Sequence, residues 1–342
     1  MASAVSFRGL WDRPVIAAPM AGGPSTVDLI VAVADAGGFA FVAAGYKTAT
    51  DVDAELRAVR ARTTRPFGVN IFVPGRATRD PDAVAAYALE LAPEAARLDV
   101  ELGTPRWEDD GWEAKLDVVT SAAPALCSFT FGCPDRSDVG RLQDRGIVVV
   151  ATVTNAAEAR RAEAAGADVV CAQGFEAGAH RGSFDDEGDD DQLSTLDLVA
   201  SVRAVSRLPV IAAGGVAGPD DVRAAIDAGA VAVQAGTAFL RTEESGASSL
   251  HKSALVDPAF GTTELTRAFT GRRARGLRNR FVRGHCDAPS AYPEIHHLTR
   301  PLRAAAVRQS DADATNLWAG TGHRQARTGP AGAVVAWLAS TI

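Results

Sequence analysis

Residues 208–216 read LPVIAAGGV, and residues 231–239 read VAVQAGTAF. Each is a short, almost unbroken apolar run that stops on glycine. Runs without polar alternation belong to strands covered on both faces, as in a parallel sheet wrapped by helices. Between them Pro219 and Asp220 open a helix and Gly229 closes it,. The same unit repeats outward in both directions. Candidate strands are Pro14–Ala18, Phe39–Ala43, Phe67–Phe72, Ala125–Phe131, Ile147–Val153, Asp168–Gln173, Pro209–Ala213 and Val231–Ala235. Eight strands alternating with helices predict an α/β fold, a (β/α)8 TIM barrel, with an open doubly wound sheet as the competing architecture.

The helices carry their own boundaries. Ser25 or Thr26 can cap a helix whose Leu29, Ile30, Val33 and Ala34 share a face and which ends at Gly37-Gly38,. Asn155 and Glu158 have capping-box spacing, and Gly166 closes that helix,. Two segments break the repeat. Residues 74–124 are too long for one crossover and predict extra helices. Residues 243–328 follow the last strand and predict a helical cap before a final helix near Ala331–Ser340. The expected organisation is a barrel domain over 1–242 and 329–342, capped by 243–328. The acidic run Asp185–Asp191 lacks the terminal glutamate of a calcium loop and reads as a solvated loop,.

Composition excludes several classes. The chain has 342 residues, 47% of them hydrophobic, with a formal charge of −7, which is no footprint for nucleic acid,. The basic stretch from Arg272 to Arg283 reads as a local patch. Four cysteines without a CxxC pair, no apolar leader and no membrane-length run predict a protein of the cytoplasm,. A monomer or homodimer is expected. The strings HExxH, GxSxG and GxxxxGK[ST] are absent, and His251, His285, His296, His297 and His323 have no metal-site context, so no metal is expected,.

In a barrel the chemistry sits at the C-terminal strand ends, with a phosphate site after strands seven and eight. Here those ends are Gly214-Gly215 and Gly236-Thr237. Glycine lets a backbone N–H approach a phosphate closely, and the helix that follows adds partial positive charge. Asn70 and Gln173 bring carboxamides to two other strand ends, where a core would take aliphatics. A carboxamide both donates and accepts, which suits the mixed edge of a flavin ring. Pro19-Met20-Ala21 can lay backbone and thioether against a planar ligand. His180 lies just past the sixth strand, on a loop that Gly178 and Gly182 leave free to bend. An imidazole titrating near neutrality there can take a proton from a weakly acidic carbon or, when charged, hold an anion.

These segments together resemble the nitronate monooxygenases, specifically their class I members. PVIAAPMAGG (14–23), GVNIF (68–72), SFTFGCP (128–134), GADVVCAQGFEAGAHRG (166–182), LPVIAAGGV (208–216), VQAGTAFLRTEES (233–245), FTGRRARGLRNRF (269–281) and NLWAG (316–320) follow the family order across nearly the whole chain. The resemblance implies FMN held by Pro19, Met20, Ala21, Asn70, Gln173, Gly178, Gly214, Gly215, Gln234, Gly236 and Thr237. It implies His180 as catalytic base or anion-stabilising residue. The implied reaction is oxidative denitrification of alkyl nitronates, and of nitroalkanes after loss of an α-proton, with O2 giving a carbonyl product and nitrite. Two positions depart from the pattern. Ala179 stands where the family usually has glycine, and Thr130 where many members have histidine. Three rival readings share the barrel: an FMN- and NADPH-dependent enoyl-acyl carrier protein reductase, a non-catalytic flavin-binding protein, and a phosphate-sugar barrel without flavin.

Overall fold

The computed structural model describes residues 9–188 and 191–342. The N-terminal residues 1–8, and Asp189 and Asp190 of the acidic run, lie outside the described residues. Strands β1 (Val15–Ala17), β2 (Phe39–Ala43), β3 (Gly68–Phe72), β4 (Leu126–Thr130), β5 (Val148–Val153) and β6 (Val169–Gln173) pair in parallel in that order. A two-residue strand, β7 (Ala179–His180), leaves the barrel. Then β8 (Val210–Ala213) and β9 (Ala232–Ala235) complete it, β9 pairing back onto β1. All eight expected strands are present, β2 with its expected bounds and the others trimmed by a residue or so at one or both ends, and the sheet closes.

The connecting helices are α1 (Val27–Asp35), α2 (Ala49–Arg60), α3 (Pro81–Arg97), α4 (Trp112–Ala122), α5 (Arg136–Gln143), α6 (Ala156–Ala165), α7 (Thr195–Arg203) and α8 (Pro219–Asp227). The pair α3 and α4 fills the long third crossover, as its length required. Thr26, not Ser25, caps α1 by accepting from Leu29 N–H, while Ser25 Oγ accepts from Met20 N–H. Only half of the capping box on α6 forms. Asn155 accepts from Glu158 N–H, but the Glu158 carboxylate turns to Thr154 and to Phe184 N–H. It ties the loop after β6 to the barrel instead of closing its own helix.

Alternation within the strands divides the core in two. Val15, Ala17, Val69, Ile71, Val149, Ala151 and Val170 point outward into the helix layer. Ile16, Phe39, Phe41, Leu126, Val150, Val169 and Ile211 point inward and fill the barrel. A third cluster, built from α3 and the segment after β9, packs Tyr87, Leu91, Phe269, Phe281, Ile295 and Leu302 together. The segment after β9 thus shares its apolar core with α3.

The cap is not helical throughout. It holds α9 (Ser249–Ala254), α10 (Arg280–Gly284) and α11 (Glu294–Arg308), but also β10 (Thr263–Thr266) and β11 (Ala274–Leu277). These two pair antiparallel, and β11 pairs in turn with β7 to make a small second sheet. The basic stretch belongs to the cap and divides: Arg272 and Arg275 are buried, while Arg278, Arg280 and Arg283 are exposed, Arg280 pairing with the Glu94 carboxylate. Nor is the acidic run wholly solvated. Asp186 is buried and accepts from Arg267 and Arg273, clamping its loop to the cap. The last helix, α12 (Ala331–Leu338), returns to pack on α1 and α8. Among the described residues no helix is long and apolar enough to cross a membrane.

Candidate active site

The inward-facing residues change character toward the C-terminal ends of the strands. Below lie Leu126, Val150, Val169 and Ile211. One step further along the same faces stand Asn70, Ser128, Thr152, Gln173 and Gln234. These polar groups floor a cavity of about 690 Å³. Every residue expected from the sequence lines it: Pro19, Met20, Ala21, Asn70, Gln173, Gly178, His180, Gly214, Gly215, Gln234, Gly236 and Thr237.

At one end lie the turns after β8 and β9. Gly214 has φ +108° and Gly215 φ +67°, backbone conformations that side chains strongly disfavour,. A Cβ on Gly236 would have Ala18 Cβ at 3.6 Å and Met20 Sδ at 3.7 Å as its nearest neighbours, ordinary van der Waals contact, so packing within the chain does not itself require glycine there. Thr237 Oγ1 accepts from Gly320 N–H at 3.0 Å, which draws the segment after Trp318 onto the turn. Gly178 serves packing, not flexibility. A Cβ there would come within 2.5 Å of the Ala319 carbonyl carbon.

The two carboxamides differ. Asn70 donates to Ser128 and Thr130 at 2.9–3.2 Å, which leaves its oxygen as the group offered to a ligand. Thr130 thereby orients Asn70. Gln173 donates to the His180 carbonyl at 3.1 Å and accepts from Gly182 N–H at 2.8 Å. Both ends of its amide hold the histidine segment in place.

His180 is on a strand, not on a bending loop. Its backbone pairs with Ala274 of β11, and Ala179 ahead of it takes φ +63°. The ring is boxed by Phe131, Tyr292 and Trp318, with centroids 5.5, 5.6 and 5.8 Å away. Burial, helped by the charges of Arg272 and Arg303, pushes its pKa down to about 3. The imidazole is therefore neutral near pH 7 and does not titrate in the range its residue type suggested. It is not a cation that could hold an anion.

The positive charge comes from Arg303, which no sequence pattern marked, and from Arg272 of the basic stretch. Arg303 of α11 lines the cavity, held by Thr299 Oγ1 at 3.1 Å and the His296 carbonyl at 3.0 Å. Burial lowers its pKa to about 10, which still leaves it charged. No carboxylate among the described residues pairs with it. Arg272 lies 4.0 Å over the Phe131 ring and donates to the Ser183 carbonyl. His296 stacks on Tyr46 at 4.2 Å, and Tyr292 OH donates to Tyr46 OH at 3.3 Å. Tyr46 is itself strained, with φ +68°, and its N–H donates to Asp110, which pairs with the fully buried Lys115. The one early signal for this wall was membership of Thr270 and Trp318 in FTGRRARGLRNRF and NLWAG. Nothing local marks Tyr46, His296 or Arg303. Among the described residues no cluster of side chains could hold a metal ion.

A closed barrel with glycine turns after its last two strands, a polar floor, and a boxed imidazole and a guanidinium lining one cavity defines a barrel enzyme for a small molecule. A sequence profile described as nitronate monooxygenase matches residues 8–340. A probable nitronate monooxygenase of Staphylococcus aureus is 36% identical over 97% of this chain and 94% of its own. The solved nitroalkane oxidase of Streptomyces ansochromogenes is 50% identical, with a TM-score of 0.94 over 97% of this chain and 96% of that one. FabK from Thermotoga maritima is more distant, at 25% identity and a TM-score of 0.70 over 97% of this chain and 93% of its own. The chain belongs to the nitronate monooxygenase family, flavin-dependent oxidoreductases.

Proposed function

We propose that this enzyme uses FMN to oxidise alkyl nitronates and their parent nitroalkanes with O2, releasing nitrite and a carbonyl compound. The observation that carries the reading is the pairing, within one cavity, of a neutral, half-buried His180 with the uncompensated charge of Arg303. A nitronate is an anion generated by removing a proton from carbon, and such a site offers a proton acceptor and a counter-charge together.

The residues present fit FMN. The turns at Gly214-Gly215 and Gly236-Thr237 would hold its phosphate, and the Asn70 oxygen and the backbone of Pro19-Met20-Ala21 would meet its ring. When bound, the flavin supplies the electron transfer from substrate to O2. The chain supplies the rest. His180 receives the α-proton of a neutral nitroalkane. Arg303 holds the nitro oxygens as charge develops on them, in a site from which the rings of Tyr46, Tyr292 and Trp318 exclude water.

Anaerobic mixing of purified protein with propionate 3-nitronate, and separately with NADPH, tests the reading. Bleaching of the flavin by the nitronate, with nitrite appearing once air is admitted, is expected. Bleaching by NADPH alone would overturn it in favour of a reductase. His180→Ala is expected to keep its FMN and to lose turnover of neutral nitroalkanes. Rates like those of the unaltered enzyme would remove His180 from proton transfer. In the unaltered enzyme, kcat/KM for a nitroalkane should stay level as pH falls through the ordinary histidine range, because His180 protonates only near 3,. A break near the ordinary value of about 6.5 would contradict the neutral imidazole.

A further inference from the structure

A neutral imidazole has two tautomers, and the one present decides whether the nitrogen facing a substrate donates or accepts. At His180 the choice falls to one hydroxyl. Nε2 lies 2.9 Å from Thr270 Oγ1. Thr270 is buried, and its single proton has two candidate acceptors, this nitrogen and the Arg272 carbonyl oxygen 3.2 Å away. The Arg272 N–H also points at Oγ1, at 3.4 Å. Among the described residues Thr270 is the donor that satisfies the Arg272 carbonyl. Turning the hydroxyl toward the ring would strip that buried oxygen of its partner, which is costly for a group shut away from water. The consistent set sends the hydroxyl proton to the carbonyl and presents the Thr270 lone pairs to two N–H donors, that of Arg272 and that of His180 Nε2. The rings of Phe131, Tyr292 and Trp318 close around the imidazole and hold it in this orientation.

We infer that Thr270 is a positioning residue that fixes His180 as the Nε2–H tautomer, leaving Nδ1 as a bare proton acceptor in the cavity. The inference rests on the reading of the site as one for nitro compounds, and it deepens it. A lone pair at Nδ1 offers no hydrogen bond to the oxygens of a ready-made nitronate. Its use is on a neutral nitroalkane. There the α-carbon–hydrogen bond breaks, the proton goes to Nδ1, and the electron pair forms the carbon–nitrogen double bond, with negative charge on the nitro oxygens beside Arg303. Thr270 touches neither substrate nor reacting atoms and acts through the ring.

The test uses full-length protein labelled with 15N-histidine, the His180 signals being assigned by their loss in His180→Gln. Two-bond 1H–15N correlations should show the Nε2–H pattern in the unaltered protein and in Thr270→Ser, and a mixture or the Nδ1–H pattern in Thr270→Val. The ratio of kcat/KM for nitroethane to that for ethylnitronate should fall by about tenfold or more in Thr270→Val, and return in Thr270→Ser. An Nδ1–H pattern in the unaltered protein, or an unchanged ratio in Thr270→Val, overturns the inference. If Thr270→Val does not fold, the spectra of the unaltered protein and of Thr270→Ser still decide it. If the enzyme oxidises neither compound, the functional reading fails while the spectra still report the tautomer.

Discussion

Ala179 takes a left-handed backbone directly before His180. There an alanine Cβ crowds its own carbonyl, at about 1–2 kcal/mol, while glycine loses only about 0.5–1 kcal/mol in extra chain entropy. Ala179→Gly is therefore expected to raise stability by about 1 kcal/mol, measured as a shift in urea midpoint at constant slope. A lower midpoint would mean that the Cβ makes contacts worth more than the strain. Arg303→Met removes the charge that no carboxylate balances. It should raise KM for a nitronate by about tenfold or more, the usual worth of a charge-assisted hydrogen bond, and leave the fold intact. An unchanged KM would place the anion elsewhere. His180 and the glycines were legible because each follows an obvious strand. Tyr46, His296 and Arg303 were not, because they reach the cavity from segments far apart in sequence and no local pattern distinguishes them from structural residues.

At the scale of elements, the strongly apolar strands declared themselves, and β7, β10 and β11 did not. TELT and ARGL carry charges, and β7 has two residues, so none shows a strand's apolar signature. β11 is nevertheless buried along its length. The Arg275 guanidinium, which masked it as polar, lies over the Phe175 ring and donates to the Phe175 carbonyl. The clamp on this sheet is Asp186. Asp186→Ala leaves Arg267 and Arg273 without their shared carboxylate and should cost about 3 kcal/mol by denaturant unfolding,. A cost near zero would show that the second sheet is held by its backbone pairing alone. The acidic run hid this role because one buried carboxylate among several exposed ones has no signature of its own.

For the whole molecule the buried histidines set an acid limit. His251 Nε2–H donates to the Trp318 carbonyl at 2.9 Å, and burial pushes its pKa down to about 4. Burial lowers His296 further, with Arg303 adding to the effect. Both stay neutral in the folded chain while the unfolded chain takes up protons below about pH 6.5. Their contribution is thus full above that pH and is lost as the pH falls toward the folded values, by about 1 kcal/mol each between pH 6.5 and 5.5. Unfolding measured across that interval should show the slope, and His251→Gln should flatten it; an unaltered slope would assign the loss to other groups. The sequence suggested a barrel and a cap, yet that division does not separate their workings. His180 leaves the barrel after β6 and is registered by Ala274 of β11, 94 residues later in the cap. A chimera joining the barrel of one family member to residues 243–328 of another would inherit its histidine from one parent and that histidine's alignment from the other. The two halves must therefore change together, so recombination among relatives should yield active enzymes only where the crossover keeps 179–180 and 270–277 from the same parent.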